Sequence, residues 1–161
     1  MVIRPIRVED AEGLLDQMAQ PLVVAFTGQL PSTRLEGRRQ WVEHLGPADH
    51  VFVAEVDGRV VASAGLHVQR GKRRHVASLG ISVHDAFQGR GIGRALMATL
   101  LDLADNFLAL RRVELEVMAD NPGAIHLYES LGFQVEGRKR EDIVLQGRYV
   151  DVLFMGRLRQ P

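Results

Sequence analysis

The stretch "VHDAFQGRGIGRAL" (83–96) sets Gly89, Gly91 and Gly93 among Gln88, Arg90 and Arg94, directly before residues with helical spacing. A glycine-rich turn that opens a helix can offer several backbone N–H groups and the helix's positive end to one anion. Lacking side chains, it also lets an anion come close to the amides, and a neighbouring guanidinium can add charge-assisted hydrogen bonds. The alternative is a tight strand-to-helix connection that needs positive φ and binds nothing. One or two glycines suffice for that; three, flanked by Arg90 and Arg94, favour an anion.

The turn needs a strand before it and a helix after it, and the hydrophobic spacing supplies both. "HVASLGISV" (75–83) reads as a strand, residues 92–107 as a helix with Ile92, Leu96, Leu100, Leu103 and Phe107 on one stripe, and "RVELEV" (112–117) as the next strand. A strand–helix–strand unit of this kind is parallel. "DNPGAIHLYESLGF" then spells a short helix, with Asn121 as N-cap, Pro122 at its first position, Leu131 inside and Gly132 closing it. On spacing alone, Tyr128 completes the apolar face of that helix with Ile125 and Leu131.

Upstream, "VFVAEV", Asp57-Gly58 and "RVVASAGLHV" form a hairpin signal, because a two-residue turn requires positive φ. Residues 2–7 suggest a first strand, Asp10 caps a helix carrying Leu14, Leu15 and Met18, and Ser32 or Thr33 caps another reaching Gly46-Pro47. Two strands, about 133–145 and 148–156 around Gln146-Gly147, close the chain. The sum is a mixed α/β fold with antiparallel ends, a central parallel unit and about four helices.

The 161 residues, 46% of them apolar, can bury one core and are expected to form one domain, 1–161. Lys plus Arg balances Asp plus Glu at 20 each, so no global field recruits nucleic acid or an anionic membrane, and anion binding must be local. The absence of cysteine excludes disulfides, thiolate metal sites and a cysteine nucleophile. With neither a signal peptide nor a run approaching a membrane span, the expectation is a cytoplasmic protein without a metal. A homodimer is compatible with the sequence, which does not specify one.

Among phosphate loops, the nucleotide P-loop requires Gly-Lys-Ser/Thr, and Gly93 is followed by Arg94-Ala95. The dinucleotide fingerprint starts at the strand's end, whereas His84–Gln88 separate Val83 from Gly89. "QGRGIG" instead resembles the Gln/Arg-x-x-Gly-x-Gly/Ala motif of the GNAT superfamily of acyl-CoA N-acyltransferases. The resemblance extends to "LGISV" before it and to "NPGAIHLYESLGF" after it, covering about Val51–Met155.

That resemblance implies a mostly antiparallel sheet splayed at the coenzyme A site, with acetyl-CoA as cosubstrate. Gln88, Gly89, Arg90, Gly91, Gly93 and Arg94 would hold the pyrophosphate, the backbone of Ile81, Ser82 and Val83 the pantetheine and thioester, and Asn121 the pantetheine arm. Tyr128 would donate a hydrogen bond or proton to the departing thiolate. Several small-molecule members carry a carboxylate base on the strand before the loop, where this chain has Ser78. His75, Glu114, Glu116 and Asp120 are the remaining candidates, each with a plain surface or turn role. The basic run "RGKRR" (70–74) lies about nine residues from Val83, roughly 30 Å at ~3.3 Å each, too far for the same pyrophosphate. The implied activity is N-acetylation of a small primary amine, an L-amino acid or analogue. A peptide N-terminus is the alternative acceptor, and an acyl-CoA sensor without turnover the alternative class. Residues 26–45 are expected to wall the acceptor side, with no motif to say which amine they take.

Overall fold

The computed structural model describes residues 1–160. One seven-stranded sheet, ordered β1-β2-β3-β4-β5-β7-β6, runs through it. Its strands are β1 (Val2–Pro5), β2 (Asp49–Val56), β3 (Arg59–Val68), β4 (Val76–Val83), β5 (Arg112–Met118), β6 (Gln134–Leu145) and β7 (Arg148–Leu158). The helices are α1 (Ala11–Met18), α2 (Pro21–Phe26), α3 (Leu35–Glu43), α4 (Ile92–Asp102) and α5 (Pro122–Ser130). Five helices stand where about four were expected. The additional one is α2, which the sequence hides because it is a single short piece opened by Pro21.

Two tight turns set the antiparallel pairs. Asp57 and Gly58 have φ of 49° and 75°, and Gln146 and Gly147 have 49° and 76°, the paired positive values of a type I′ hairpin. The first hairpin is modified by a bulge. Glu55 pairs with Val60, but Ala54 pairs with Ala62, so Val61 is the extra residue and every pairing beyond it shifts by one.

β3 is buried continuously from Val60 to Leu66, because both faces of the sheet are covered there. On one face Ala62, Ala64, Leu66, Ala77 and Leu79 pack with Leu96, Met97 and Leu100 of α4. On the other, α1 lies over β3, with Leu14 fully buried.

Several local expectations change. Asp10 does not cap α1. It is buried, accepts the Arg7 N–H at 2.7 Å and takes two 2.8 Å hydrogen bonds from Arg4, which also reaches Glu55. α3 begins after an extended Arg34, and Thr33 bonds back to the Leu30 carbonyl rather than capping the helix. α3 ends at Glu43, before Gly46-Pro47. Phe107 does not extend the α4 stripe: a π-helical turn, Leu103–Phe107, inserts one residue, so Ala104 is fully buried and Phe107 is 75% exposed. Leu131 lies just past the end of α5, and Gly132 follows with φ 92°.

The Arg4 guanidinium, with the Arg7 N–H, holds the Asp10 carboxyl below the usual carboxylate range. A carboxyl lowered in the folded state stabilises above its unfolded pKa, about 3.9, and that contribution is lost as pH falls through the folded value. Asp10→Asn is therefore expected to cost about 1–3 kcal/mol at neutral pH. Urea unfolding curves should show the gap to wild type closing as the solution is acidified below pH ~4.

Candidate active site

The parallel ladder between β4 and β5 covers three pairs, Val76↔Arg112 to Ser78↔Glu114, and then ends. β4 continues along β3 to Val83 and β5 continues along β7 to Met118, so beyond Ser78 the two strands are no longer paired with each other. Backbone groups on the inner edges are left for another partner. A cleft of about 830 Å³ opens at this splay.

The glycine turn forms one end of the cleft. Gly89 and Gly91 have φ of 72° and 79°, and Gly91 is the left-handed residue from which α4 starts. A Cβ on either would meet no protein atom within 4 Å, so the backbone there faces open space. Gly93 differs: a Cβ would lie 3.7 Å from each of Ile81, Val83 and Leu127, ordinary contact distance, so the start of α4 is packed there against β4 and α5. Two glycines thus provide conformation, and the third sits at a packed junction.

Gln88, Gly89, Gly91, Gly93 and Arg94 line the cleft, as do Ile81, Ser82, Val83, Asn121 and Tyr128. Gln88 Nε2 donates to the Val83 carbonyl at 3.1 Å, and Arg94 donates to Ser130 Oγ at 2.9 Å, which ties the start of α4 to α5. Arg90 lies outside the lining, its guanidinium 5.0 Å from the centre of the Phe87 ring. Asn121 caps α5 by accepting the Ala124 N–H at 3.3 Å. Tyr128 is buried against Phe133 with ring centres 6.1 Å apart, and burial pushes its phenol up to about 12. At neutral pH it is a donor.

The acceptor-side candidates separate. Ser78 is half-buried and outside the cleft lining, opposite His67 on β3 and Glu114 on β5. His75 is exposed away from the cleft, and Asp120 bonds with Arg148 at 3.2 Å. Burial disfavours the charge on Glu114, but hydrogen bonds from Arg112 and Arg73 outweigh it and hold its carboxyl low. Arg73, from the basic run, is therefore committed to the sheet. Glu116 does line the cleft, with Lys139 Nζ 2.9 Å from its carboxylate.

Residues 26–45 contribute Phe26, Thr27, Gly28, Gln29 and Trp41, joined by Met18, Leu22 and Val23. The Asp85 carboxylate accepts the Leu22 N–H at 2.9 Å, linking this wall to the glycine turn. Buried Arg38 donates to Gln29 and fixes its amide. On the floor, Gln17 donates to Ser82 Oγ at 2.9 Å and accepts from Ser63 Oγ at 3.1 Å. These wall and floor contacts carry no motif; they follow from where the helices land.

A splayed sheet, a glycine turn at the start of a helix and a phenol meet in one cleft, the arrangement that the motif implies. Residues 15–133 match the Acetyltransferase (GNAT) family, and the chain belongs to that family. It is 36% identical over 162 residues to the L-amino acid N-acetyltransferase AaaT of Escherichia coli K12, spanning 99% of this chain and 98% of that one. Two solved structures share the architecture across nearly their whole length. The ribosomal-protein-alanine N-acetyltransferase of Brucella melitensis has TM-score 0.85 and 29% identity, covering 99% and 100% of the two chains. The yncA acetyltransferase of Salmonella typhimurium, solved with its cofactor acetyl-CoA, has TM-score 0.86 and 26% identity, covering 100% and 95%. The protein is an N-acetyltransferase acting on an amine. No helix among the described residues is long and apolar enough to cross a membrane.

Proposed function

We propose that the chain, acting as one catalytic domain in the cytoplasm, transfers acetyl from acetyl-CoA to the α-amino group of an L-amino acid or a close analogue. The near full-length similarity to an L-amino acid N-acetyltransferase carries this reading. The chemistry of the cleft supports it. Met18, Leu22, Phe26 and Trp41 suit an apolar side chain, and Gln29, Ser63 and Ser82 offer neutral polar contacts. Glu116 is the single carboxylate lining the cleft among the described residues, and Lys139 already pairs with it, which suits a polyamine with several ammonium groups poorly. A peptide N-terminus is the second reading, favoured by the likeness to the ribosomal-protein-alanine enzyme.

The residues present fit coenzyme A. The amides around Gly89 and Gly91 and the start of α4 would hold its pyrophosphate, with Gln88 and Arg94 beside them and Arg90 at the outer edge. The inner edge at Ile81–Val83, which β5 leaves unpaired and where Gln88 already bonds the Val83 carbonyl, would hold the pantetheine and orient the thioester carbonyl, with Asn121 facing the same arm. Acetyl-CoA supplies the activated acetyl group. Tyr128 donates a hydrogen bond to the sulfur as it leaves. Its phenol, pushed up to about 12 by burial, stays protonated and available to donate to the departing thiolate, whose ordinary value is ~8.5.

Gly80 provides a check on the acceptor side. It pairs with Gly65 across β3 and β4, and a Cβ at Gly80 would meet nothing within 4 Å, so this glycine leaves open space in the cleft floor. Gly80→Leu is expected to raise the acceptor KM at least ~10-fold while CoA affinity stays near wild type. For the acceptor class itself, acetyl-CoA is mixed with equal amounts of pooled L-amino acids, a peptide with a free N-terminus, and spermidine, and the acetylated products are identified by mass spectrometry. Acetylated amino acids should dominate; a product confined to the peptide would replace this reading with the second.

A further inference from the structure

His67, which lines the cleft, and Asp49, which stands behind it, form a pair that the sequence does not advertise. They stand opposite each other on β3 and β2, with His67 Nδ1 2.7 Å from Asp49 Oδ1. Asp49 also accepts the Gly46 N–H at 2.8 Å, which fixes the carboxylate from the other side. Its carboxyl is held below the usual range by the His67 hydrogen bond first and the Gly46 N–H second, so it stays an acceptor. An acceptor on Nδ1 places the neutral ring's proton there and leaves the Nε2 lone pair free.

The ring has a defined direction. It folds over Gly65, where a Cβ would lie 2.7 Å from Nε2, and both residues line the cleft. A side chain at 65 would push the ring away. His67 is also the direct cross-strand partner of Ser78 on β4. Paired residues in an antiparallel ladder face the same side with Cβ atoms about 4.5–5.5 Å apart. The position that holds serine where a carboxylate was expected thus adjoins an imidazole backed by a carboxylate.

We infer that His67 Nε2 is the general base for the acceptor amine and that Asp49 positions it. The inference rests on the amine-acetylation reading but not on which amine is used. In the step, the acceptor ammonium gives one proton to Nε2, and the freed nitrogen pair forms the C–N bond. The C–S bond breaks and its electron pair takes the Tyr128 proton, while the nitrogen passes its second proton to Tyr128. His67 then releases its proton to solvent, so one amide, one thiol and one proton result.

The groups around the ring are few. Asp49 contacts it from β2, and Arg70 lies near enough to Asp49 to act on its charge. Across Ser78, Glu114 is occupied by Arg73 and Arg112. Glu116, on β5, faces the cleft with Lys139. Trp41 and Gln29 from the helical wall are uncharged.

The test compares wild type with His67→Gln, Asp49→Asn, Gly65→Ala and Glu116→Gln, first confirming by thermal melting that each is folded. Rates are measured with the L-amino acids, L-methionine sulfone and spermidine, using whichever is turned over. His67→Gln is expected to lower kcat by about 10²–10⁴, leave the acetyl-CoA KM within about 2-fold, and abolish the acid limb of the pH profile. Asp49→Asn should lose most of the same rate, with the two losses not adding in the double variant, and Gly65→Ala should follow in part. Unchanged kcat in His67→Gln, or loss of the acid limb in Glu116→Gln instead, would overturn the assignment. If wild type acetylates none of these amines, the acceptor reading fails and the pair is judged separately, by ¹⁵N imidazole NMR of the CoA complex at alkaline pH. A proton on Nδ1 of His67 upholds the pair, and a proton on Nε2 overturns it.

Discussion

Gly91→Val is expected to raise the Kd for CoA by about 10–100-fold while the protein remains folded. Gly91 holds φ 79°, where a β-branched residue costs on the order of 1–3 kcal/mol, and it is the residue from which α4 starts. A chain that relaxes away from that conformation turns the first amides of α4 off their common target, and 1.4 kcal/mol of lost interaction is tenfold in affinity. The new side chain also projects into open space within the cleft, where the anion must approach. Calorimetric titration with CoA measures the loss directly. A second readout is thermal: saturating CoA should raise the melting temperature of wild type by mass action and move that of the variant much less. Gly93 provides the contrast. Its φ is ordinary and its neighbours lie 3.7 Å from where a Cβ would be, so Gly93→Ala is a packing change, and its effect on CoA affinity should be the smaller of the two.

Tyr128→Phe is expected to lower kcat by about 10² with little change in the acetyl-CoA KM. The substitution keeps the ring against Phe133 and removes only the hydroxyl, so stability and cofactor affinity are controls. The pH dependence adds a sign. The phenol must be protonated to donate, so its contribution is present at low and neutral pH and is lost as pH rises through about 12. The wild-type to variant ratio of kcat should therefore be flat across the neutral range. A ratio that collapsed well below that value would contradict a donor role for a phenol raised this far. Initial rates of thiol release with a fixed amine, from mildly acidic to strongly alkaline solution, make the comparison.

The parts of the fold set by local chemistry were legible in the sequence. Asp57-Gly58 and Gln146-Gly147 specify their turns, Asn121-Pro122 starts α5, and the glycine turn specifies the start of α4, each within a few residues. The splay between β4 and β5 was legible only through resemblance, since nothing in Leu79–Val83 forbids a longer parallel ladder. The π-helical turn at Leu103–Phe107 escaped because a 3.6-residue period fits Phe107 to the stripe as well as it fits Leu103. Arg4 removed Asp10 from its expected cap, a contact between β1 and the turn that precedes α1.

The His67–Asp49 pair shows most clearly what a linear reading lacks. Counting outward from the Asp57-Gly58 turn in an unbroken ladder sets Asp49 opposite Leu66, one residue short. The bulge that takes in Val61 moves every later pair by one and brings Asp49 to His67. One inserted residue, fully buried and without a motif of its own, thereby decides which side chain the carboxylate supports. The acceptor wall was opaque for a related reason: Met18, Leu22, Phe26 and Trp41 are ordinary core formers in the sequence, and the packing of three short helices turns them toward one cavity.

The most direct test of the account is a two-substrate initial-rate study, following free thiol while acetyl-CoA and an L-amino acid are varied together. Transfer within one cleft, in a chain with no cysteine to carry the acetyl group, predicts intersecting reciprocal plots, one acetylated amino acid per thiol released and no acetylated protein. Tight CoA binding with no thiol released for any amine offered would contradict it, and would make the cleft a sensor of acyl-CoA instead of a site of acetyl transfer.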